Sequence, residues 1–170
     1  MYWKGQVLSI YVRSEPGGPV IELDEVLAVP GKGLKGDYYF SAGSPRKPGP
    51  GRELTLIEME TLEAVEKESN IRLNPEESRR NVITKNVPLN HLIGKEFQVG
   101  DVILKGIRLC EPCSHLAELT QKEILPALVH RGGLRAQIIS EGLIRTGDPV
   151  YAINSSPAQE ATNADFNQGP

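Results

Sequence analysis

Glu96-Phe97-Gln98-Val99-Gly100-Asp101-Val102-Ile103-Leu104-Lys105-Gly106-Ile107-Arg108-Leu109 is the stretch that decides the fold. Two short apolar runs, Glu96 to Val99 and Val102 to Leu109, flank Gly100-Asp101, and a two-residue turn of that kind joins antiparallel strands. The same pattern of short strands punctuated by glycine recurs on both sides. Gln6 to Val12, the turn Glu15-Pro16-Gly17-Gly18-Pro19 and Val20 to Val29 predict an opening hairpin. Ala136 to Ile139, Ser140-Glu141-Gly142 and Leu143-Ile144-Arg145 predict another. Three hairpins in one chain argue for a mainly β fold with a few short helices, its sheet closed into a barrel.

Helix is scarcer. Thr55-x-x-Glu58 reads as a capping box ahead of Ile57, Leu62 and Val65, so a helix is expected to begin at Thr55. A short helix is expected at Asn74, because Pro75 suits the first helical position and Glu76 and Glu77 suit the positive end of the dipole. That turn would deliver Arg79 and Arg80 at its exit. A third helix is expected after Pro112, with Leu116, Leu119 and Ile124 on one face. Ser41 to Gly51 is rich in proline and glycine, and with Arg46, Lys47 and Arg52 it reads as a solvated loop or a mobile basic flap. From Asn154 to Pro170 the chain is polar and unpatterned, so a domain over 1–153 followed by a disordered tail over 154–170 is expected.

Composition bounds the function. The 170 residues, 39% of them hydrophobic, suffice for one domain with a real core. No apolar run is long enough to span a bilayer, and nothing near Met1 resembles a signal sequence, so a cytoplasmic protein without membrane contact is expected. The net charge of −3 supplies no global field for nucleic acid, and any anion site must be local.

Cys110 and Cys113 are the only cysteines, three positions apart in Leu109-Cys110-Glu111-Pro112-Cys113-Ser114-His115. Such a pair can exchange a disulfide, hold half of a zinc site with His115 and His130, or present one thiolate as a sulfur carrier or metal ligand. Two buried structural thiols are the alternative without chemistry. Cys113 would sit where a strand ends and a helix begins, a position at which unpaired backbone N–H groups and the helix dipole favour thiolate. A thioredoxin-like site would need a strand-helix-strand unit that this hairpin-rich sequence does not offer.

A second constellation is basic: Arg79-Arg80-Asn81, Arg108 and His130-Arg131-Gly132-Gly133-Leu134-Arg135. Arg forks pair bidentately with phosphate oxygens, and Gly132-Gly133 would let backbone N–H groups approach an anion. Exposed arginines or pairs with the many glutamates are the plainer alternative. His115 and His130 are candidates for proton transfer, whereas His91 reads as a surface residue.

The order of motifs is itself informative. Gly33-Leu34-Lys35-Gly36-Asp37, Arg52-Glu53-Leu54-Thr55-Leu56-Ile57, Arg79-Arg80-Asn81-Val82-Ile83, Leu92-Ile93-Gly94-Lys95-Glu96 running on to Asp101, Cys110-Glu111-Pro112-Cys113, Arg131 to Ala136 and Gly147-Asp148 follow one another in sequence. Taken together, from about Gly5 to Ile153, they resemble the MOSC domain, named for the C-terminal domain of molybdenum-cofactor sulfurases. The likeness is to the small stand-alone bacterial members, with no room for the pyridoxal-phosphate desulfurase domain of a full sulfurase.

The resemblance implies a barrel like the pyruvate-kinase barrel domain and a site for the molybdenum cofactor (Mo-molybdopterin) or for sulfur transfer. It places the key cysteine in Pro112-Cys113-Ser114-His115-Leu116, making Cys113 the metal ligand or persulfide carrier and Cys110 its candidate partner. The family's basic positions fall on Arg80 with Asn81, and on Arg131 and Arg135. Tyr38-Tyr39 is a departure, since many members carry a basic pair after the early Gly-Asp. Partners implied are molybdopterin or a sulfur-donor protein and, for a reductase of N-hydroxylated compounds, a separate electron donor, as no flavin, haem or iron-sulfur motif is visible. Thiol redox or sulfur relay without molybdenum, and a non-catalytic phospho-ligand module, remain open from the residues themselves.

Overall fold

The computed structural model describes residues 3–40 and 49–153. Residues 41–48, which hold most of the expected basic flap, and the tail from Asn154 lie outside the described residues. The barrel strands are β1 (Lys4–Val12), β5 (Leu54–Glu58), β6 (Val82–Lys85), β7 (Glu96–Val99), β8 (Val102–Leu109), β9 (Leu134–Ile138) and β11 (Pro149–Ala152). They close in the order β1-β6-β5-β9-β8-β7-β11 and back to β1, and β5–β6 is the parallel pair. β1 makes closure possible. One edge holds β6, while on the other Lys4–Gln6 pair with β11 and Ile10–Val12 pair with β2 (Ile21–Leu23). Bulges at Val7–Ser9 in β1 and Gly106–Arg108 in β8 add the local twist a barrel needs.

Alternation fills the interior. Val102 and Leu104 of β8, Leu134, Ala136 and Ile138 of β9, Leu54 and Leu56 of β5 and Phe97 of β7 are buried together. A second core lies outside the barrel wall, where α1 (Met59–Ser69), α2 (Ser114–Leu119) and α3 (Ile124–Leu128) cover Ile57 and Ile83 with Leu62, Val65, Leu116, Ile124 and Leu128. Each such large apolar side chain contributes about 1.5–3 kcal/mol on burial. No helix among the described residues is long and apolar enough to cross a membrane.

The central hairpin forms as its sequence predicts, with Val99 opposite Val102. The opening hairpin forms in part, β1 with β2, and the third does not form. The Val20–Val29 run breaks at Asp24, whose carbonyl accepts the Thr146 N–H, and β3 (Glu25–Val29) leaves the barrel for a small sheet of β10 (Gly142–Arg145), β3 and β4 (Gly33–Leu34). β9 and β10 therefore belong to different sheets and are no hairpin. The helix expected from Thr55 starts at Met59 instead. Leu54, Leu56 and Ile57 are buried on both faces of a central strand, and that burial outweighs a local capping pattern. At Asn74 the expected helical turn forms as a 3-10 turn over Pro75–Ser78, closed by a capping box in which the Asn74 N–H donates to Glu77 Oε2 at 2.7 Å. After Pro112 one expected helix is two. Thr120 Oγ1 donates to the Leu116 carbonyl at 2.7 Å where α2 stops, and Leu119 faces solvent.

Two acids tie these layers together. Buried Glu53 accepts N–H groups of Gly31 and Ile138, joining the small sheet to the barrel, and half-buried Glu58 accepts the Leu89 N–H and the Thr61 hydroxyl. Burial raises both carboxyls above the usual range. The folded state therefore holds these protons more tightly than the unfolded chain. Their favourable contribution is present below the unfolded carboxylate range and is lost as pH rises through the raised values. Urea midpoints measured from pH 4.5 to 7 should show this loss. Glu58→Gln, which can still accept from Leu89 and donate to Thr61, should flatten part of it, whereas an unchanged slope would remove Glu58 from the account.

Candidate functional site

β8 delivers Cys110 to the end of the barrel where β9 begins. The Cys110 N–H donates to the Gly133 carbonyl at 2.7 Å, so the segments 110–113 and 132–134 lie side by side. Cys110 is buried and Cys113 is exposed at the N-cap of α2. α2 is fixed from below by Leu116, which is 2% exposed. The two thiols thus occupy different environments: one packed behind the loop, one presented to solvent.

Cys113 opens onto a cleft of about 740 Å³. Five arginines line it: Arg13 at the end of β1, Arg52 before β5, Arg79 and Arg80 before β6, and Arg135 on β9. His115, Tyr38, Tyr39, Thr55 and Asn81 complete much of the wall, and no carboxylate is among the described lining residues. Among the described residues none of these arginines forms an ion pair. Alternation explains Arg135: Leu134 and Ala136 point into the barrel, so Arg135 points out, opposite Thr55 on one side and Arg108 on the other.

Arg80 is the most constrained member. It is 9% exposed, and its Nε donates to the Gly132 carbonyl at 2.8 Å, Nη2 to Cys110 at 3.2 Å and Nη1 to Ser78 at 3.3 Å. Of five guanidinium N–H donors, three bonds are to protein carbonyls and two donors are left for a ligand. Burial lowers its pKa, the nearby Cys110 and Cys113 act in the opposite sense when ionised, and Arg135 adds to the lowering.

Asn81 is committed to structure. Its Oδ1 accepts the Thr55 N–H at 3.0 Å and the Thr55 hydroxyl at 3.2 Å, while Nδ2 donates to the Tyr11 carbonyl at 3.0 Å and to Asp37 Oδ1 at 3.4 Å. All four bonds an amide can make are used, so Asn81 shapes the cleft by joining β1 to β5 and holds no ligand in this arrangement. Asp37, of the early Gly-Asp motif, is likewise engaged, accepting the N–H groups of Arg13 and Tyr39.

The structure brings together Cys113, Cys110, His115, Arg80, Asn81 and Arg135 as expected site residues, but not Arg131. Arg131 donates to Glu68 Oε2 and to the Ala127 carbonyl, each at 2.7 Å, beside a separate depression between α1 and α3. The tight turn after α3, closed by the Arg131 N–H to the Leu128 carbonyl, sends it to that side. Gly132 and Gly133 are buried behind the cleft, where they permit close backbone packing; a Cβ on Gly132 would meet the Cys110 carbonyl, and one on Gly133 the Leu56 carbonyl. Their N–H groups do not line the cleft. His130, at φ 61°, binds Glu111 with both its N–H and Nδ1 on the surface. Among the described residues no group of three or more His, Cys, Asp or Glu side chains is placed to hold a metal, which leaves the zinc alternative without a site. Arg13, Arg52 and Thr55 were not legible as cleft residues. Arg13 follows a strand end with no motif around it, and only its position beyond β1 could have pointed to it.

A family model for the MOSC domain matches residues 44–151, more than half of the chain. The chain belongs to the MOSC family. MOSC domains are associated with the molybdenum cofactor, and this MOSC chain has the small β-barrel to match. No curated protein matches it. Its fold is similar to that of the YuaD protein from Bacillus subtilis, with a TM-score of 0.73 at 16% identity over 89% of this chain and 100% of that one. YiiM from Geobacillus stearothermophilus superposes with a TM-score of 0.66 at 16% identity, covering 88% of this chain and 75% of YiiM. YiiM from Escherichia coli gives 0.62 at 18% identity, with 91% and 71% covered. At these identities the likeness is one of MOSC fold alone.

Proposed function

We propose that this MOSC domain binds the molybdenum cofactor in the arginine-lined cleft, with Cys113 as thiolate ligand to molybdenum, and serves a molybdenum-dependent oxidoreductase reaction. The observation that carries this reading is the pairing of an exposed thiol with five arginines, with no carboxylate among the described lining residues. A soft thiolate suits molybdenum, and a dianionic phosphate suits Arg forks. The cleft volume of about 740 Å³ lies within the range of small-molecule and cofactor sites. The buried Arg79 Nε has no partner, the kind of donor that a bound anion satisfies.

When bound, the cofactor supplies a metal centre that exchanges electrons with substrate. The chain's own residues do the rest. Arg80 and Arg135 would hold the phosphate, Cys113 would supply the thiolate ligand, and His115 on the cleft wall is the imidazole available to move a proton. Electrons come from a separate protein partner, and N-hydroxylated compounds are the proposed substrates. A second reading is favoured by the exposure of Cys113 over buried Cys110: an accessible thiol can receive a persulfide from a sulfur-donor protein.

Protein purified from a host that makes the cofactor should contain molybdenum by elemental analysis and release pterin that fluoresces on oxidation. Cys113→Ala should lose the metal while the arginines retain much of the pterin. Equal molybdenum in both proteins, or pterin in neither, sinks the ligand role. One extra sulfur on Cys113 by intact mass, without pterin, would favour the persulfide carrier.

A further inference from the structure

Arg13, Arg52 and Arg79 are left over once a phosphate is assigned to Arg80 and Arg135, and of these Arg13 and Arg79 are close enough to repel each other. The backbone separates the two sets. Arg79 has left-handed φ 60°, so consecutive side chains diverge: Arg79 Nη2 donates to the Gly18 carbonyl at 3.2 Å, whereas Arg80 turns to Gly132 and Cys110. Arg13 shares the cleft wall with Gly17, Tyr38 and Tyr39, its carbonyl accepts the Tyr38 N–H, and its charge is felt by both Arg79 and Arg80. Its side chain donates to no described group, and no described carboxylate pairs with either arginine. Burial first, and repulsion from Arg13 second, lower the Arg79 pKa. A buried orphan donor and two adjacent like charges both oppose folding. An oxyanion seated between them relieves both.

The neighbouring wall is aromatic. Tyr38 and Tyr39 have ring centroids 5.3 Å apart, tilted by 56°, and both are half-buried, so their rings are held against each other rather than free to sweep the cleft. We propose that Arg13 and Arg79 form a second oxyanion subsite, which takes the phosphate or carboxylate of a planar aromatic substrate whose ring lies against Tyr38 and Tyr39. This deepens the reading of the cleft as a cofactor site by assigning its other half to an anionic substrate.

The test uses the full chain without cofactor, titrated with phenyl phosphate, inorganic phosphate, benzoate and benzyl alcohol at low salt, and followed by amide resonances. Phenyl phosphate should shift the Gly17 and Tyr39 amides and bind more tightly than inorganic phosphate. Arg13→Gln and Arg79→Gln should each weaken the affinity read at those amides by about tenfold or more, the loss of a charge-assisted pair, with the Gly133 amide's response unchanged. Arg13→Gln is the cleaner variant because it breaks no described hydrogen bond, and a retained thermal midpoint shows that it folds. Saturation by benzoate extends the subsite to carboxylates; no response to benzoate restricts it to phosphate, and either keeps the subsite. Benzyl alcohol binding as tightly as phenyl phosphate, or affinities unchanged within about twofold in both variants, overturns the proposal. So does Arg13→Gln protein that loses its pterin, since Arg13 would then belong to the cofactor's phosphate. Absence of pterin from wild type instead defeats the cofactor reading and leaves this subsite to the titration.

Discussion

Gly133→Ala is expected to destabilise the domain by about 3–5 kcal/mol, combining the left-handed penalty of an L side chain with the cost of overpacking. Gly133 has φ +111°, and an added Cβ would run into the Leu56 carbonyl, with the Leu56 carbonyl carbon at 3.2 Å and Arg80 Nε at 3.5 Å behind it. None of these can yield cheaply. Leu56 belongs to β5, paired with β6 and β9, and its side chain is fully buried in the barrel. Total stabilities of about 5–15 kcal/mol make such a loss a large fraction of the whole, and for a domain this long it should lower the thermal midpoint by roughly 10 °C. Thermal and urea unfolding would check it; a midpoint within about 2 °C of wild type would mean the strand can shift, and the close approach is not required. Gly132→Ala is the instructive neighbour. Its backbone has no left-handed strain, and its Cβ would press on the Cys110 carbonyl and on Pro112, with Pro112 Cδ at 3.3 Å. That carbonyl is backbone and is held by Arg80, so Gly132→Ala should also cost stability, but less than Gly133→Ala because it adds no left-handed strain, and it should displace the cysteine segment.

This contrast bears on what the sequence could reveal. Gly132-Gly133 is expected to let an anion approach, yet what approaches is the protein's own backbone, from β5 and from Cys110 just after β8, and local spacing does not say which chain segment comes near. Arg131 shows the same limit: a basic residue three positions before a strand looks equivalent to Arg135 until the turn after α3 directs it to Glu68. The barrel was legible because period-two burial and Gly-Asp turns are local signals, and the central hairpin follows them. The helix expected at Thr55 failed because a strand buried on both faces has lost alternation, and Thr-x-x-Glu then offered the stronger local pattern. Arg79 and Arg80 stand at the exit of the Asn74 turn, as expected. The structural role of Asn81 was not visible. Asn81 saturates its amide on Thr55, Tyr11 and Asp37, from segments 26 to 70 residues away, and only the assembled barrel brings those partners together.

Arg80 gives the sharpest separation of stability from function. Replacing it with methionine removes three hydrogen bonds and leaves the carbonyls of Gly132, Cys110 and Ser78 without this donor, a cost of about 1–3 kcal/mol for each that finds no water. Against this stands the cost of keeping a cation that is 9% exposed and has no described carboxylate partner. That penalty is several kcal/mol for a buried ion, and an apolar side chain of similar length removes it. The two terms are of opposite sign and comparable size. Arg80→Met is therefore expected to shift stability by no more than about 2 kcal/mol, less than Gly133→Ala, while abolishing retention of pterin and the response of the Gly133 amide to phosphate. Arg80→Lys keeps the charge but replaces a planar fork by a point charge, so it cannot hold the Gly132, Cys110 and Ser78 carbonyls together while aiming two donors at a ligand. It should recover only part of the phosphate response. Urea midpoints, pterin fluorescence and phosphate titration on the same preparations separate the possibilities. If Arg80→Met unfolds as readily as Gly133→Ala yet binds phosphate normally, the buried guanidinium is a structural clamp alone. If stability holds and the anion is lost, the cation is kept in the cleft at the expense of the fold because a ligand completes its charge.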